Sequence, residues 1–132
     1  MADQVELLLD LARQARGRAY APYSNFFVGS AVSTDAGTFS GANVENASYG
    51  LSICAERVAA SQAVASGARH IDTVVVTSSA PTPTPPCGAC RQFLYEFNPQ
   101  MTVVSESRNG DRKRWVLSEL LLDGFGRGDL GD

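Results

Sequence analysis

The segment IDTVVVTS, residues 71–78, constrains the fold more than any other part of this 132-residue chain. Its apolar residues are continuous, without the alternation of polar and apolar side chains that is typical of a strand with one solvated face. Such a continuous run is typical of a strand that is covered on both faces. The segment therefore predicts an inner strand of a sheet that has helices on both sides.

Three elements are predicted before this strand. Apolar residues recur at helical spacing between Val5 and Ala15, which predicts an amphipathic helix. Two short β-prone runs around Asp35, Ala36 and Gly37 predict a hairpin. An alanine-rich run with few charges follows and predicts a helix that is covered on most sides. The predicted bounds are 3–16 for the first helix, 27–34 and 38–43 for the strands, and 53–66 for the central helix.

The proline-rich segment APTPTPP, residues 80–86, is compatible with an interdomain linker or with a long loop inside one domain. A linker would leave only the last 46 residues as a separate unit, which is small for a core, so we favour the loop. Further on, a short Asn109-Gly110 turn predicts that the last two strands are antiparallel. The other predicted elements are a helix over 88–97, strands on either side of the turn, and a short helix over 117–122.

Composition fits a single globular domain over residues 1–132, with 44% hydrophobic and 19% charged residues. No apolar run approaches the roughly 18 residues that a membrane span needs. The start, MADQVELLLDLARQARGRAY, has acids before its leucines and no small-residue cleavage site, so we expect a cytoplasmic protein without a signal peptide. The net charge of −3 offers no general attraction for phosphate backbones. We therefore expect neither nucleic acid nor a membrane as a partner.

The three cysteines, Cys54, Cys87 and Cys90, favour metal binding or catalysis over a disulfide framework, because their count is odd. The C-x-x-C pair alone is compatible with a redox motif, half of a zinc site, or chance. If two helices begin near these cysteines, their N-termini favour thiolates, and three sulfurs occupy three corners of a tetrahedron. The open fourth corner is typical of catalytic zinc. His70 is expected on the far side of the central helix, outside this site.

Glu56 stands two residues after Cys54, within reach of a water on such a metal. The surrounding CAERVAA is poor in other polar groups, which favours a catalytic carboxylate over an exposed helix residue. The sequence thus has the parts for deprotonating water and passing the proton on.

Four segments, PYSNFFVG, GANVENASYG, ICAERVAA and PCGACRQ, resemble in this order those of the small homotetrameric cytidine deaminases. The signature of zinc deaminases is H-x-E…P-C-x-x-C, and this chain has the three-cysteine variant. The resemblance implies an α/β fold, a three-layer α/β/α sandwich with a five-stranded mixed sheet. The predicted antiparallel last strands fit the nucleoside branch better than the branches that edit nucleic acids. The implied reaction is hydrolytic deamination of cytidine and deoxycytidine to uridine and deoxyuridine with release of ammonia, in pyrimidine salvage.

The resemblance also implies the roles of individual residues. In the family, zinc-bound hydroxide attacks C4 of the cytosine ring, while a glutamate that matches Glu56 protonates N3 and then passes a proton to the departing amino group. Three thiolates outweigh the two positive charges of Zn²⁺, so the centre needs nearby donors. Arg57 is the expected donor to the sulfurs, and Arg91 is expected to assist from the other helix. The implied ligands of one zinc ion per subunit are Cys54, Cys87 and Cys90.

The substrate contacts are likewise implied by similarity. Asn43 and Glu45 match residues that bind the ribose 3′-hydroxyl, which points to nucleosides, and Phe26 matches a residue of the base pocket. Tyr49 and Phe125 match residues that neighbouring subunits of the homotetramer insert into each other's sites, although Asp123 stands where a proline is common. The substrate-binding residues implied are Phe26, Asn43, Glu45, Tyr49, Ala55 and Phe125.

Two alternatives stay open at this point. The first keeps the chemistry and changes the substrate to another aminopyrimidine nucleoside, such as blasticidin S. The second, from a different class, is a non-catalytic structural-zinc module or a C-x-x-C redox protein, whose function would not depend on Glu56.

Overall fold

The computed structural model describes residues 3–131, so residues 1, 2 and 132 of the predicted domain lie outside the described part. Within that part, no helix is both long enough and apolar enough to cross a membrane. Two 3₁₀ turns, Tyr49–Leu51 and Arg127–Leu130, supplement the main elements. In chain order these are α1 (Gln4–Arg16), β1 (Val28–Thr34), β2 (Gly37–Ala42), α2 (Ala55–Ala65), β3 (Ile71–Ser78), α3 (Gly88–Tyr95), β4 (Thr102–Glu106), β5 (Arg112–Val116) and α4 (Leu117–Leu120).

β3 is the central strand of a five-stranded mixed sheet with the order β2-β1-β3-β4-β5. It pairs antiparallel with β1 and parallel with β4. The two outer pairs, β1 with β2 and β4 with β5, are antiparallel. The prediction of an inner strand over residues 71–78 is confirmed, as is the antiparallel pairing of the last two strands.

Successive residues of β3 face two separate cores. Val74 packs in a core with alanines of α2 and with Leu94 of α3. Val75 packs on the opposite face of the sheet with Leu8 and Leu9 of α1. Because side chains alternate along a strand, one continuous apolar run supplies both cores. The result is the expected three-layer α/β/α sandwich, with α1 on one face and α2, α3 and α4 on the other.

Gly29 lets α1 lie directly on β1. A Cβ atom at this position would lie 1.9 Å from the carbonyl oxygen of Ala12 and 2.7 Å from the backbone nitrogen of Arg16. Only a residue without a side chain therefore permits this approach of helix and strand.

The central helix begins at Ala55, two residues later than predicted, because Ile53 is engaged in backbone pairing. Ile53 and Val44 exchange two N–H to carbonyl hydrogen bonds of 2.9 and 3.0 Å. Cys54 then has an extended conformation, φ −71° and ψ 152°, and is the N-cap of α2. The predicted start of the helix, Ile53, was therefore two residues before the observed start. The loop over 46–50 leads into the 3₁₀ turn Tyr49–Leu51.

The hairpin between β4 and β5 has a longer connection than the two-residue turn that Asn109-Gly110 suggested. Glu106 pairs with Arg112, so residues 107–111 form the loop. The Ser107 N–H donates to the Asp111 carbonyl at 2.9 Å, and Gly110 has a φ of 87°. Glycine supplies the left-handed conformation here, whereas Asn109 does not.

Candidate metal centre and substrate cavity

Both cysteine-bearing helices begin at a cysteine. Cys54 is the N-cap of α2, and Cys87 is the N-cap of α3. Cys90 lies in the first turn of α3 and is buried. The Cys54 and Cys87 sulfurs are 3.6 Å apart, those of Cys87 and Cys90 are 3.5 Å apart, and all three lie within 4.8 Å of one another. The cluster therefore has the arrangement that the spacing of the motif predicted.

The thiols of Cys54 and Cys90 influence each other's ionisation. Hydrogen bonds to Cys54 from Cys90, Arg57 and Cys87 lower the pKa of the Cys54 thiol to about 5. The hydrogen bond with Cys54 and burial raise the pKa of Cys90. One sulfur thus carries negative charge while its neighbour keeps a proton. A metal ion replaces such protons with positive charge, because metal binding to cysteine releases protons.

Three thiolates, two of them at helix N-termini and one in the first turn of a helix, match the preference of Zn²⁺ for sulfur ligands. Cys54 and Cys87 also border an open cavity, which leaves room for a fourth ligand that is not a protein side chain. The residues present therefore fit a zinc ion of the catalytic type. His70 is exposed at the opposite end of β3, beside Asp72 at 3.2 Å, and does not belong to the cluster, as expected.

The two arginines differ in what they contact. Arg57 Nη2 lies 3.8 Å from the Cys54 sulfur, and hydrogen bonds to Cys54 and Cys90 raise the pKa of Arg57. Arg91 donates instead to backbone carbonyls, from Nε to Pro86 at 2.7 Å and from Nη1 to Leu120 at 2.8 Å. Arg91 therefore anchors the segment that leads to Cys87, and its expected influence on the zinc charge stays a prediction.

Glu56 is 5% exposed and lies in the first turn of α2, where it borders the same cavity as Cys54 and Cys87. Burial, together with the charge of Cys54, raises the pKa of Glu56 to about 7. A carboxyl group with a pKa near neutral pH can accept and release a proton under ordinary conditions. This environment differs from that of an exposed helix carboxylate, which was the alternative interpretation of Glu56.

The cavity has a volume of about 260 Å³ and is lined mainly by apolar atoms, with Cys54, Cys87 and Glu56 in its wall. Apolar pockets with a few polar groups are typical of small-molecule sites. Seven residues singled out from the sequence line it, namely Phe26, Asn43, Glu45, Cys54, Ala55, Glu56 and Cys87.

The Asn43 side chain links the end of β2 to the start of β1 by hydrogen bonds. Its Oδ1 accepts from the Val28 N–H at 3.0 Å, and its Nδ2 donates to the Phe26 carbonyl at 2.8 Å. The residue is 9% exposed. Its side chain therefore fixes the backbone on both sides of Phe27, including that of the cavity residue Phe26.

Glu45 organises the loop that carries Phe26. Its Oε1 accepts from the N–H groups of Tyr23 and Ser24 at 3.0 and 3.2 Å, and its Oε2 accepts from the Ser24 hydroxyl. These donors, the Ser24 hydroxyl first, hold the pKa of Glu45 below its ordinary value. The carboxylate is thus kept charged at the edge of the cavity.

Tyr49 and Phe125 do not line this cavity. Tyr49 is 75% exposed and packs edge-on against Tyr23, with 6.2 Å between the ring centroids. Phe125 is 55% exposed, and its backbone is bonded to Gln92 of α3. Both aromatic rings are therefore available to another molecule.

The sequence interpretation missed the wall formed by Val28, Val76, Thr84 and Pro85. Thr84 and Pro85 belong to the proline-rich loop, whose position is set in part by a 2.7 Å hydrogen bond from the buried Ser105 hydroxyl to the Thr84 carbonyl. The signal for these two residues was their place directly before the P-C-x-x-C motif, since that loop has to reach the metal centre.

Comparison with known proteins identifies the class first. The family model of the cytidine and deoxycytidylate deaminase zinc-binding region matches residues 2–106, which contain all three cysteines and Glu56. The fold and the site thus define a zinc-binding deaminase.

Three similar proteins are cytidine deaminases. The chain is 43% identical over 129 residues to a cytidine deaminase of Halalkalibacterium halodurans, covering 96% of this chain and 98% of that protein. It is 40% identical over 128 residues to a cytidine deaminase of Sporosarcina psychrophila, covering 96% and 94%. The crystal structure of cytidine deaminase from Burkholderia pseudomallei superimposes with a TM-score of 0.87 at 44% identity, covering 95% of this chain and all of that one. The chain belongs to the cytidine deaminase family.

Proposed function

We propose that this chain deaminates cytidine and deoxycytidine to uridine and deoxyuridine with release of ammonia, through the residues described above. The single observation that supports the assignment most strongly is the burial of Glu56 beside a three-cysteine cluster at the wall of an apolar cavity. A purely structural zinc site needs neither an open cavity nor a buried carboxyl group with a raised pKa.

Cys54, Cys87 and Cys90 would hold the zinc ion. When bound, zinc supplies a Lewis acid that lowers the pKa of water, as in other hydrolytic zinc sites. Glu56 takes up one proton of the attacking water as its oxygen bonds to C4, and delivers that proton to N3 of the pyrimidine. It then takes up the remaining proton of the same oxygen and passes it to the amino group, so that the C4–N bond breaks and ammonia leaves. The raised pKa of Glu56, about 7, suits a group that accepts and releases a proton twice in one turnover.

The remaining cavity residues orient the nucleoside. Phe26 and the buried Ala55 present apolar surface to the pyrimidine ring. Asn43 and Glu45, which also line the cavity, offer polar groups to the ribose hydroxyl groups. The hydrogen bonds that already hold Asn43 and Glu45 in place reduce the conformational entropy that substrate binding would otherwise cost.

We propose further that the active form is a homotetramer in which Tyr49 and Phe125 contact substrate sites of neighbouring subunits. Support comes from the exposure of these two rings and of Leu51, which is 65% exposed and directly precedes the cavity residue Ser52. Large exposed apolar groups are typical of interaction sites. We also propose that residues 1–132 form one deaminase domain, in keeping with two cores that share one sheet.

We propose that the protein acts in the cytoplasm. The process it serves there is pyrimidine salvage. Three free cysteines in a cluster that could hold zinc favour a reducing compartment, since oxidation to a disulfide would remove two ligands. The nucleoside substrate is a small molecule, consistent with a cavity of about 260 Å³.

The substrate assignment is tested by following the loss of ultraviolet absorbance with cytidine, deoxycytidine and blasticidin S on the same zinc-loaded preparation. We expect turnover of both pyrimidine nucleosides and little or none of blasticidin S. Faster turnover of blasticidin S than of either nucleoside would contradict the proposal. Sedimentation of the preparation at assay concentration tests the tetramer separately, and a monomer with full activity would contradict it.

A further inference from the structure

Besides two of the three cysteines, α3 carries a side chain that holds the C-terminal part of the chain. The Gln92 side-chain amide accepts from the Phe125 N–H at 3.1 Å and donates to the Phe125 carbonyl at 2.7 Å. A neighbouring β-strand satisfies one residue's N–H and carbonyl in the same way. One side chain, 33 residues away in sequence, therefore fixes the backbone of Phe125.

The residues on both sides of Phe125 are glycines that lie against the Tyr95 ring of α3. A Cβ atom on Gly124 would lie 2.7 Å from Cε2 of Tyr95, and a Cβ on Gly126 would lie 3.5 Å from Cε1 of the same ring. Any side chain at position 124 would therefore have to displace either the Tyr95 ring or the segment itself.

Asp123, directly before Gly124, has a φ of 53°, in the left-handed region. Proline cannot adopt this conformation, because its ring holds φ near about −65°. A proline at position 123 is therefore incompatible with the observed backbone conformation and could not restrain the segment. The contacts with α3 restrain the segment instead.

Arg91 adds a second link from the same helix, because its Nη1 donates to the Leu120 carbonyl at 2.8 Å. Two successive residues of α3 thereby hold the segment between Leu120 and Phe125. In contrast to its backbone, the Phe125 ring is 55% exposed. A fixed backbone combined with an exposed ring is what the presentation of an aromatic side chain to another molecule requires.

We propose that Gln92 is a positioning residue, which fixes the backbone of Phe125 so that its ring is presented in one orientation to the substrate site of a neighbouring subunit. The proposal rests on the proposed function for the identity of the receiving site. Gln92 touches no substrate and acts only through Phe125. It also joins the helix that carries Cys87 and Cys90 to the segment that presents this ring.

The test compares zinc-loaded, full-length Gln92→Ala with the unaltered protein. Hydrogen exchange of the Phe125 amide should become about tenfold faster, because the acceptor of its N–H is lost. The KM for cytidine should rise about three- to tenfold with kcat within about twofold, the pattern of weakened substrate binding. Zinc content should not change. Gln62→Ala on α2, which replaces an exposed helix glutamine, is the matched control and should alter neither exchange nor KM.

A second variant, Gln92→Glu, keeps an acceptor for the Phe125 N–H but replaces the donor to the Phe125 carbonyl with an oxygen. It should give an intermediate increase in exchange. In a Phe125→Leu background, Gln92→Ala should raise KM no further, since both changes act through the same ring.

Unchanged exchange of the Phe125 amide in Gln92→Ala would overturn the proposal, as would an undiminished effect on KM in the Phe125→Leu background. Failure of the underlying function is distinguishable. If Phe125→Leu by itself leaves KM unchanged, the contact with the neighbouring substrate site is wrong, whereas the exchange measurement still decides whether Gln92 fixes the segment.

Discussion

The guanidinium Nη2 of Arg57 lies 3.8 Å from the sulfur of Cys54, one turn earlier on the same helix. The Arg57 Nε is buried and has no hydrogen-bond partner among residues 3–131. A permanent positive charge thus stands beside three sulfurs whose combined thiolate charge exceeds that of Zn²⁺. We expect this charge to offset part of the excess negative charge of the thiolates when zinc is bound, which would favour the activation of water.

Arg57→Ala should therefore weaken zinc binding by about 10- to 100-fold and slow turnover, the usual effect of removing a residue that contacts a metal ligand. The measurement is zinc per chain during competition with a chelator, together with cytidine turnover. Arg57→Lys is the control, because it keeps the charge without the planar donor group, and it should lose less. Full zinc retention and unaltered activity in Arg57→Ala would refute this role.

Asn43→Ala should destabilise the protein by about 1–3 kcal/mol, because the Val28 N–H and the Phe26 carbonyl both lose their partner. Asn43→Asp retains an acceptor for Val28 but sets a carboxylate oxygen against the Phe26 carbonyl oxygen at a buried position, so its cost should be at least as large. Urea unfolding of the zinc-loaded variants measures the effect. The KM for cytidine should rise in both, and an Asn43→Ala protein with unchanged unfolding would show that these two bonds contribute little.

Glu106 should make stability depend on pH in the acidic range. Burial raises the pKa of Glu106, but the hydrogen bond and charge of Arg13 outweigh burial and leave that pKa below its ordinary value. A lowered folded-state pKa means that the stabilisation is present above the unfolded-state pKa of about 4.3 and is lost as the pH falls through the folded-state value. Glu106→Gln should thus cost about 1–3 kcal/mol near pH 7.

The difference in unfolding free energy between Glu106→Gln and the unaltered protein should shrink as the pH falls below about 4. Urea unfolding at several pH values measures it, and the comparison at each pH cancels the common effect of zinc loss. Asp10→Asn removes the exposed partner of Arg13 and should change stability by less than about 0.5 kcal/mol. A difference that grows toward acid would contradict the ion-pair account.

Gly29→Ala should destabilise the fold by about 3 kcal/mol or more, because the added methyl group meets the backbone of α1 at Ala12 and Arg16, which cannot move aside locally. Gly128→Ala is the matched control, since a Cβ there meets nothing within 4 Å. Thermal unfolding of the two variants provides the comparison. Equal midpoints for both would mean that α1 does not lie on β1 as closely as described.

Much of the fold was predictable because its signals are local. The apolar run of β3 and the helical spacing of α1 each lie within one element, and the cysteine motifs mark the starts of α2 and α3. The start of α2 was misplaced because Ile53 pairs with Val44, a contact that no local pattern reveals. The alanine-rich run with few charges favoured a helix from Ile53 onward, and the pairing of Ile53 with Val44 overrode it.

The site was predictable in its residue types and less so in its contacts. Cys54, Glu56 and Cys87 meet at the cavity because the motif places them at helix starts. The internal bonds of Asn43 and the bond of Gln92 to Phe125 join distant segments of the chain. Such contacts depend on how the layers pack, so they emerge only from the folded structure.

The most direct test of the account is a joint measurement of zinc content and cytidine turnover in Glu56→Gln. Glutamine preserves the shape of the side chain but cannot transfer protons between water and the pyrimidine. We expect about one zinc ion per chain and a fall in kcat of about 10²- to 10⁴-fold, the range for loss of general acid–base catalysis. A Glu56→Gln protein that holds zinc and deaminates cytidine at the unaltered rate would contradict the assignment of Glu56 as the proton carrier.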